Sequence, residues 1–528
     1  MLTRLSPRGL KWSLVPWHTL AVAVFPVLFL FAENAEQQVT LAPLWAPLLI
    51  CIAAGLGLLL VATLATRSLL RGGLLATLIL LLFFSFGHLW NVLGAPMDAS
   101  RWLMAVGYLL IGIGFGLLIW RGGRWVPGLS RFLNIAAVVL LLFNAARVAD
   151  FASASSAAAG TMPTSPPVAL EAPATKPDIY YIILDRYANV DTLRDIYRFD
   201  NEPFMRALED RGFSVARHAW ANYFKTALSV YTSMNMHYID PEQLGVDMSQ
   251  PSRFQEIQGA LRDHLALPVA LKALGYDYIH IGNWWEPTAT NIDADVALRF
   301  QGSAEFANAL WSTTALSLIR PPAFGGTGPD GESMPFRDLA RETILYGFDR
   351  LEDSAARPGP DFVFAHITAP HPPYVFNADG SFPSDEEVRT RPERNSYVAQ
   401  LQWVNQRVLA AIDTLMDHDP DEPDPIIVLQ ADEGPFPPGF TANEAGFQWL
   451  DASPRDIQQK YGILNAMRLP GVDPSSVGFT DHTSPVNEFR IVLDAYFDAD
   501  LPLLPDETFL SPDFSRFYDF VRYQHPDD

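Results

Sequence analysis

Five apolar stretches fill most of the first 150 residues, near 14 to 32, 41 to 64, 73 to 93, 102 to 120 and 128 to 147. Each is long enough, or nearly so, to cross about 30 Å of hydrocarbon as a helix, and five in succession are not the buried helices of a soluble core. Pro26 and Pro43 fall inside or at the edges of these runs, as membrane helices tolerate when neighbouring helices re-satisfy the backbone. The pattern predicts an N-terminal bundle of five transmembrane helices over residues 1–150.

Basic residues alternate with the predicted turns. Arg4, Arg8 and Lys11 precede the first stretch, Arg67 and Arg71 follow the second, and Arg121, Arg124 and Arg131 surround the turn after the fourth; Glu33 and Glu36, then Asp98 with a single Arg101, occupy the intervening loops. By the bias of Lys and Arg toward cytoplasmic loops, this places the N-terminus in the cytoplasm and residue 150 outside. The expectation is an integral protein of a bacterial-type cytoplasmic membrane with a periplasmic or extracellular domain. No small-residue cleavage site follows Phe31-Ala-Glu-Asn, so the first stretch reads as a retained helix rather than a signal peptide.

Residues 1–150 carry a formal +6 and the remaining 378 carry −28, which together make the −22 of the whole chain. An outer part this acidic is a poor partner for nucleic acid. The single cysteine, Cys51, lies in the second apolar stretch, so no disulfide staples the outer part and a large core must hold it.

Residues 151–176 are rich in Ala, Ser and Pro without apolar periodicity and read as a semi-extended linker. Beyond them, strand candidates at Ile179–Leu184, Tyr276–Ile281, Phe362–Ile367 and Ile426–Leu429 alternate with helix candidates at Glu202–Arg211, Thr226–Met236, Leu265–Leu274, Phe336–Leu351 and Tyr397–Met416. Such alternation over residues 177–528 argues for an α/β domain, a largely parallel sheet sandwiched by helices.

Acids end two of these strands: Asp185 closes Tyr180-Tyr-Ile-Ile-Leu-Asp185, and Asp432-Glu433 follow Ile426-Ile-Val-Leu-Gln-Ala. Open parallel sheets build their sites just past the carboxyl ends of strands. Between the two acids in the chain, Lys225-Thr226 opens a helical stretch. A threonine hydroxyl is a weak nucleophile unless a base or metal activates it, and a cation held by Asp185, Asp432 and Glu433 supplies the second. The helix start offers N–H groups to a phosphate, and Lys225 offsets its charge. Plainer alternatives stay open: Thr226 as a helix cap, Asp185 as a strand-to-helix cap, and Asp432-Glu433-Gly434-Pro435 as a turn.

These residues resemble a family. Pro177 to Asp185, Lys225-Thr226, Phe364-Ala-His366-Ile-Thr-Ala-Pro-His371-Pro-Pro-Tyr374 and Gln430 to Pro435 are similar to blocks of membrane-bound sulfatase-like hydrolases and transferases of the alkaline phosphatase superfamily. The lipoteichoic acid synthases and phosphoethanolamine transferases are the similar members. The resemblance implies an alkaline phosphatase/sulfatase-like fold, a Thr226 nucleophile, metal ligation by Asp185, Thr226, Asp432 and Glu433, and a substrate phosphate faced by His371, with His366 on the same strand. Tyr278-Ile-His280-Ile-Gly-Asn283-Trp284-Trp285 resembles the cleft-lining segment of the synthases, adding His280 and Trp284 as substrate contacts; the tryptophans equally suit a membrane interface. The implied substrate is a lipid headgroup or an envelope glycan or polymer, and the implied chemistry is transfer or hydrolysis of phosphoglycerol- or phosphoethanolamine-type esters.

Two positions depart from the synthases: Asp185 stands where they commonly have Glu, and Asp432-Glu433 where they commonly have Asp-His. An all-oxygen set of Asp, Thr, Asp and Glu suits Mn²⁺ or Mg²⁺, and also Ca²⁺, better than Zn²⁺. Two further alternatives share the fold: a sulfate-ester hydrolase, against which stands Thr226-Ala-Leu-Ser-Val in place of a Cys/Ser-x-Pro-x-Arg motif, and a catalytically degenerate membrane-anchored binding protein. A transport pathway is disfavoured because the apolar stretches hold almost no ionisable residues beyond His18 and His88.

Overall fold

A computed structural model describes residues 15–35, 40–93, 98–161, 170–246, 248–249, 252, 254–263, 265–300, 305–319, 336–419, 421–443 and 446–525. Arg4, Arg8, Lys11, Glu36 and residues 162–169 of the expected linker lie outside them. The chain divides into two units, Met1–Ala154 with Gln301–Pro335, and Ser155–Phe300 with Phe336–Asp528.

In the first unit each of the five apolar stretches is a helix: α1 (Trp17–Glu33), α2 (Ala42–Thr66), α3 (Leu69–Leu93), α4 (Asp98–Trp120) and α5 (Val126–Thr161). Four of them contain segments long and apolar enough to cross a membrane, whereas α1 is apolar but has only 17 residues. Leu60, Leu109, Phe132 and Phe143 of α2, α4 and α5 are 60–65% exposed, the reverse of a water-soluble bundle. Inside, polar groups are paired: the two ring nitrogens of the buried His18 meet Thr77 Oγ1 at 2.6 Å and Ser130 Oγ at 3.1 Å, tying α1 to α3 and α5. α5 runs through Thr161, eleven residues into the segment expected to be extended. The alanines among those residues are the strongest helix formers, which composition read as a linker does not reveal.

The sequence suggests no boundary within residues 177–528, yet Gln301–Pro335 groups with the first unit. Its helix Glu305–Thr313 buries Phe306 and Leu310 in a cluster with Val27, Phe31, Leu44 and Phe151, and the Phe306 ring meets Phe31 edge-on at 5.8 Å.

The second unit is built on a seven-stranded sheet of order β2-β7-β6-β1-β5-β3-β4. The strands are β1 (Ile179–Leu184), β2 (Phe213–Val215), β3 (Asp277–Ile281), β4 (Val296–Leu298), β5 (Asp361–Ile367), β6 (Ile426–Gln430) and β7 (Asn465–Arg468). β6, β1, β5, β3 and β4 are parallel neighbours, and β7 and β2 complete one edge antiparallel. β1 is buried along its whole length, which is why it reads as unbroken apolar sequence rather than an alternation. A short hairpin, β8 (Thr508–Leu510) with β9 (Val521–Tyr523), stands apart from this sheet.

Successive residues of β1 address opposite layers. The Tyr180 hydroxyl lies near Ser354 of the helix Phe336–Ser354, and the Tyr181 ring meets Phe489 of the helix Pro485–Phe497 at 4.9 Å. Helices Glu202–Glu209 and Glu393–Leu415 belong with the first of these, and helices Thr226–Asn235 (here α6), Gln255–Arg262 and Ala266–Ala273 with the second. This is the expected sheet between helical layers. The register sets Ile183 opposite both His366 on β5 and Gln430 on β6, so three adjacent strands end level with one another.

Candidate metal and phosphate site

At that common end, Asp185, His366 and Asp432 offer ligand atoms within 4.8 Å of one another, all three residues buried. The turn after β1 places the first: Asp185 N–H donates to Ile367 O at 3.0 Å, extending the ladder to β5 by one bond. Arg186 then takes a left-handed conformation, φ +62°, which costs a non-glycine residue roughly 1–2 kcal/mol. The Tyr397 hydroxyl pins it, donating to Arg186 O at 2.9 Å and accepting from Ala188 N at 3.1 Å.

His366 is oriented from behind. Its Nδ1 lies 2.8 Å from Thr288 Oγ1, and its carbonyl accepts from Asn283 Nδ2 at 3.1 Å. With Nδ1 donating to Thr288, Nε2 keeps its lone pair toward the acids, 3.7 Å from Asp185 Oδ2, as a metal-binding imidazole requires. Asp185 Oδ1, Asp432 Oδ2 and His366 Nε2 are each buried without a hydrogen-bond partner. Each of the three residues whose ligand atoms converge thus carries a buried atom without a partner, which fits a divalent cation, because a buried polar atom otherwise loses its solvation uncompensated. The same crowding shows in the titration: burial first, then the Asp185 and Glu433 charges, push the Asp432 carboxyl up to about 7. Burial alone would depress His366, yet Asp185, Asp432 and Glu433 lift it above its ordinary value.

Thr226 is the first residue of α6. Lys225 occupies the N-cap and no side chain caps this end; the Thr226 hydroxyl instead lies near enough to the Asp432 carboxyl to favour its ionised form. Lys225 and Thr226 are half-buried at the mouth above the buried acids, and Lys225 Nζ lies 5.0 Å from the Phe436 ring centroid.

Glu433 does not join the cation group. Arg186 Nε donates to its Oε1 at 3.2 Å, and Lys460 Nζ stands 2.9 Å from its Oε2 as an ion pair rather than an aligned hydrogen bond. Burial depresses the Lys460 ammonium to about 7 against the pull of Glu433, with Arg186 and Lys225 pushing it further down.

Of the expected substrate contacts, His371 and Trp284 lie together at the mouth, their rings 5.9 Å apart and edge to face. Gln400 fixes this loop, donating to His371 O at 3.0 Å while accepting from Val375 N and Phe376 N. Burial, then the Arg186 charge, depress His371 to about 3, leaving a neutral imidazole. His280 sits deeper, 3% exposed, with its ring nitrogens 2.8 Å from the Tyr278 hydroxyl and 2.9 Å from Thr288 O. It supports the Thr288 segment that orients His366. The sequence did not single out Arg186, Thr288, Tyr397 or Lys460 as site residues, whereas Asn283 lies within the segment read as lining the cleft.

No family model and no curated protein matches the chain. Among solved structures it is similar to the C-terminal periplasmic domain of EptC from Escherichia coli in complex with Zn, at 11% identity over 68% of this chain and 96% of that one, TM-score 0.40. It is also similar to the soluble domain of lipooligosaccharide phosphoethanolamine transferase A from Neisseria meningitidis, at 13% identity over 62% and 89%, TM-score 0.35. A third is a 2-O GAG sulfatase, at 12% identity over 62% and 72%, TM-score 0.35. These neighbours are of the kinds that the sequence motifs resemble. At such scores the overlap bears no weight for the activity, which has to be read from the site.

Proposed function

We propose that the protein transfers or hydrolyses phosphate-ester headgroups of the phosphoglycerol or phosphoethanolamine type, through Thr226, on the outer face of the membrane. The observation that carries this reading is the meeting of ligand atoms from Asp185, His366 and Asp432, each residue with a buried unpartnered atom, near the hydroxyl of Thr226 at the ends of three parallel strands. Asp185, His366 and Asp432 would hold one divalent cation, with Thr226 beside it. His366 brings a nitrogen where the sequence suggested only oxygens, which moves the preference from Mg²⁺ and Ca²⁺ toward Mn²⁺ and Zn²⁺. Bound there, the cation would acidify the Thr226 hydroxyl and offset charge on phosphoryl oxygens.

The chain's own groups do the rest. Asp432, beside the Thr226 hydroxyl, would accept its hydrogen bond and turn the oxygen toward an incoming phosphorus. Attack forms the Thr226 Oγ1–P bond and breaks the bond to the leaving alcohol, giving a phospho-threonine that an acceptor hydroxyl or water resolves. Lys225 lies beside the nucleophile to offset charge, and neutral His371, whose Nδ1–H donates to Pro372 O, presents an acceptor nitrogen, with the Trp284 ring against it as an apolar edge.

The outer-face assignment rests on five spans with a cytoplasmic N-terminus. α1, at 17 residues, is at the short limit for a crossing helix, and the Arg-rich loops support the orientation. The deciding assay presents phosphatidylglycerol, phosphatidylethanolamine, a generic phosphodiester and a sulfate ester to the metal-loaded protein and to Thr226→Ala. Phosphate-ester turnover lost in the variant sustains the reading, and turnover that survives the substitution ends it.

A further inference from the structure

We infer that Arg186 grips the oxygens of the transferring phosphoryl group, with Glu433 and Lys460 as the buried pair that aims it. This rests on the phosphate-ester reading above and adds the residue that recognises the oxyanion.

The guanidinium is immobilised on three sides but left open on one. Nε is taken by Glu433 at 3.2 Å, and the plane lies over the Phe436 ring with Cζ 3.7 Å from its centroid. The backbone beneath is locked by Tyr397. Nη1 and Nη2 make no hydrogen bond among the described residues, and the side chain is 14% exposed. Two parallel N–H donors on a fixed plane are the geometry that takes a phosphate bidentately. Arg186 directly follows Asp185 of the cation group, and its backbone N–H lies 3.4 Å from Asp432 Oδ1.

Cationic groups gather beside it. Lys460 Nζ lies 3.6 Å and Lys225 Nζ 5.0 Å from the Phe436 centroid that Arg186 also covers. Glu433 is shared between Lys460 and Arg186, and on Arg186 it takes only Nε. A tetrahedral phosphoryl group seated between the cation site and Arg186 meets the N–H edges that remain. Glu433, where the similar synthases carry a metal-binding histidine, is thereby a positioning residue for Arg186.

The test uses the full-length protein in detergent, loaded with Mn²⁺, with inorganic phosphate as the probe. Calorimetric titration reads phosphate affinity, and elemental analysis reads bound metal. Arg186→Gln is expected to weaken phosphate tenfold or more with metal content unchanged. Arg186→Lys, which keeps the charge but loses the fork, should recover only part of the loss, and Glu433→Gln should weaken phosphate several-fold without loss of metal. A second measurement needs no variant: phosphate should slow modification of Arg186 by an arginine-specific dicarbonyl, followed by mass spectrometry. Wild-type phosphate affinity in Arg186→Gln, or modification of Arg186 indifferent to phosphate, overturns the inference alone. A metal-loaded wild type that binds no phosphate overturns the phosphate-ester reading and this inference with it.

Discussion

Glu433 and Lys460 meet at 2.9 Å with neither side chain more than 2% exposed, so the carboxylate that follows Asp432 is neutralised from the helix Pro454–Tyr461 rather than by a cation shared with its neighbour. Removing one member of a buried pair leaves the other charged and desolvated, at about 3–5 kcal/mol. Glu433→Ala is therefore expected to lose stability of about that size in chemical denaturation while retaining its metal. Loss of metal in step with the substitution would show that Glu433 is a ligand after all.

The same pair makes a pH signature. Lys460 is depressed from 10.5 to about 7. Between those values the unfolded chain holds a proton on this amine that the folded chain has released, so the group's contribution makes stability rise with pH through that window and leaves it flat below. Denaturation midpoints at pH 7 and 9.5 should differ more for the wild type than for Lys460→Met, and equal slopes in the two proteins would contradict the assignment.

Much of the second unit was legible because its central strands are buried on both faces and read as unbroken apolar runs. Ile179–Leu184 was read to the residue, and the other three central strands to within a residue. The strands β2, β4 and β7 have three or four residues, too few for any period to register. The site was legible where chemistry followed a strand, as with Asp185 and Asp432. Lys460 was not, because a lysine on the helix Pro454–Tyr461 looks solvated until tertiary packing buries it, and the left-handed turn at Arg186 leaves no trace in composition. His366 and Thr288 lie 78 residues apart, a pairing that only the parallel sheet creates.

The orientation of His366 predicts a graded effect on metal binding. A group that hydrogen-bonds the far nitrogen of a ligating imidazole is worth roughly 10–100-fold in affinity, so Thr288→Val should weaken Mn²⁺ and Zn²⁺ in calorimetric titration by about that factor, and His366→Gln by more. Chelation should likewise lower the unfolding temperature of the wild type, since a ligand at a hundred times its Kd contributes about 2.7 kcal/mol. An unfolding temperature unmoved by chelator and by added metal would leave the three unmatched atoms of the group without the occupant they fit.

Tyr397 tests whether the turn that carries Arg186 is held from a distance. Its hydroxyl, on a buried ring tilted against Tyr197 at 4.4 Å between centroids, closes two hydrogen bonds around the left-handed residue next to the cation group. Tyr397→Phe removes both bonds and leaves Ala188 N–H and Arg186 O unpaired in the interior, a cost of about 1–3 kcal/mol. Freed of that clamp, Arg186 can relax toward an ordinary backbone conformation, which swings its guanidinium off Phe436 and away from the mouth. The variant should thus lose stability and also raise KM for a phosphate ester with metal content intact, whereas a purely structural tyrosine would lower stability and leave KM where it was. Because Asp185 sits one residue before the turn, a fall in bound metal would instead place the role of Tyr397 in holding the cation ligand.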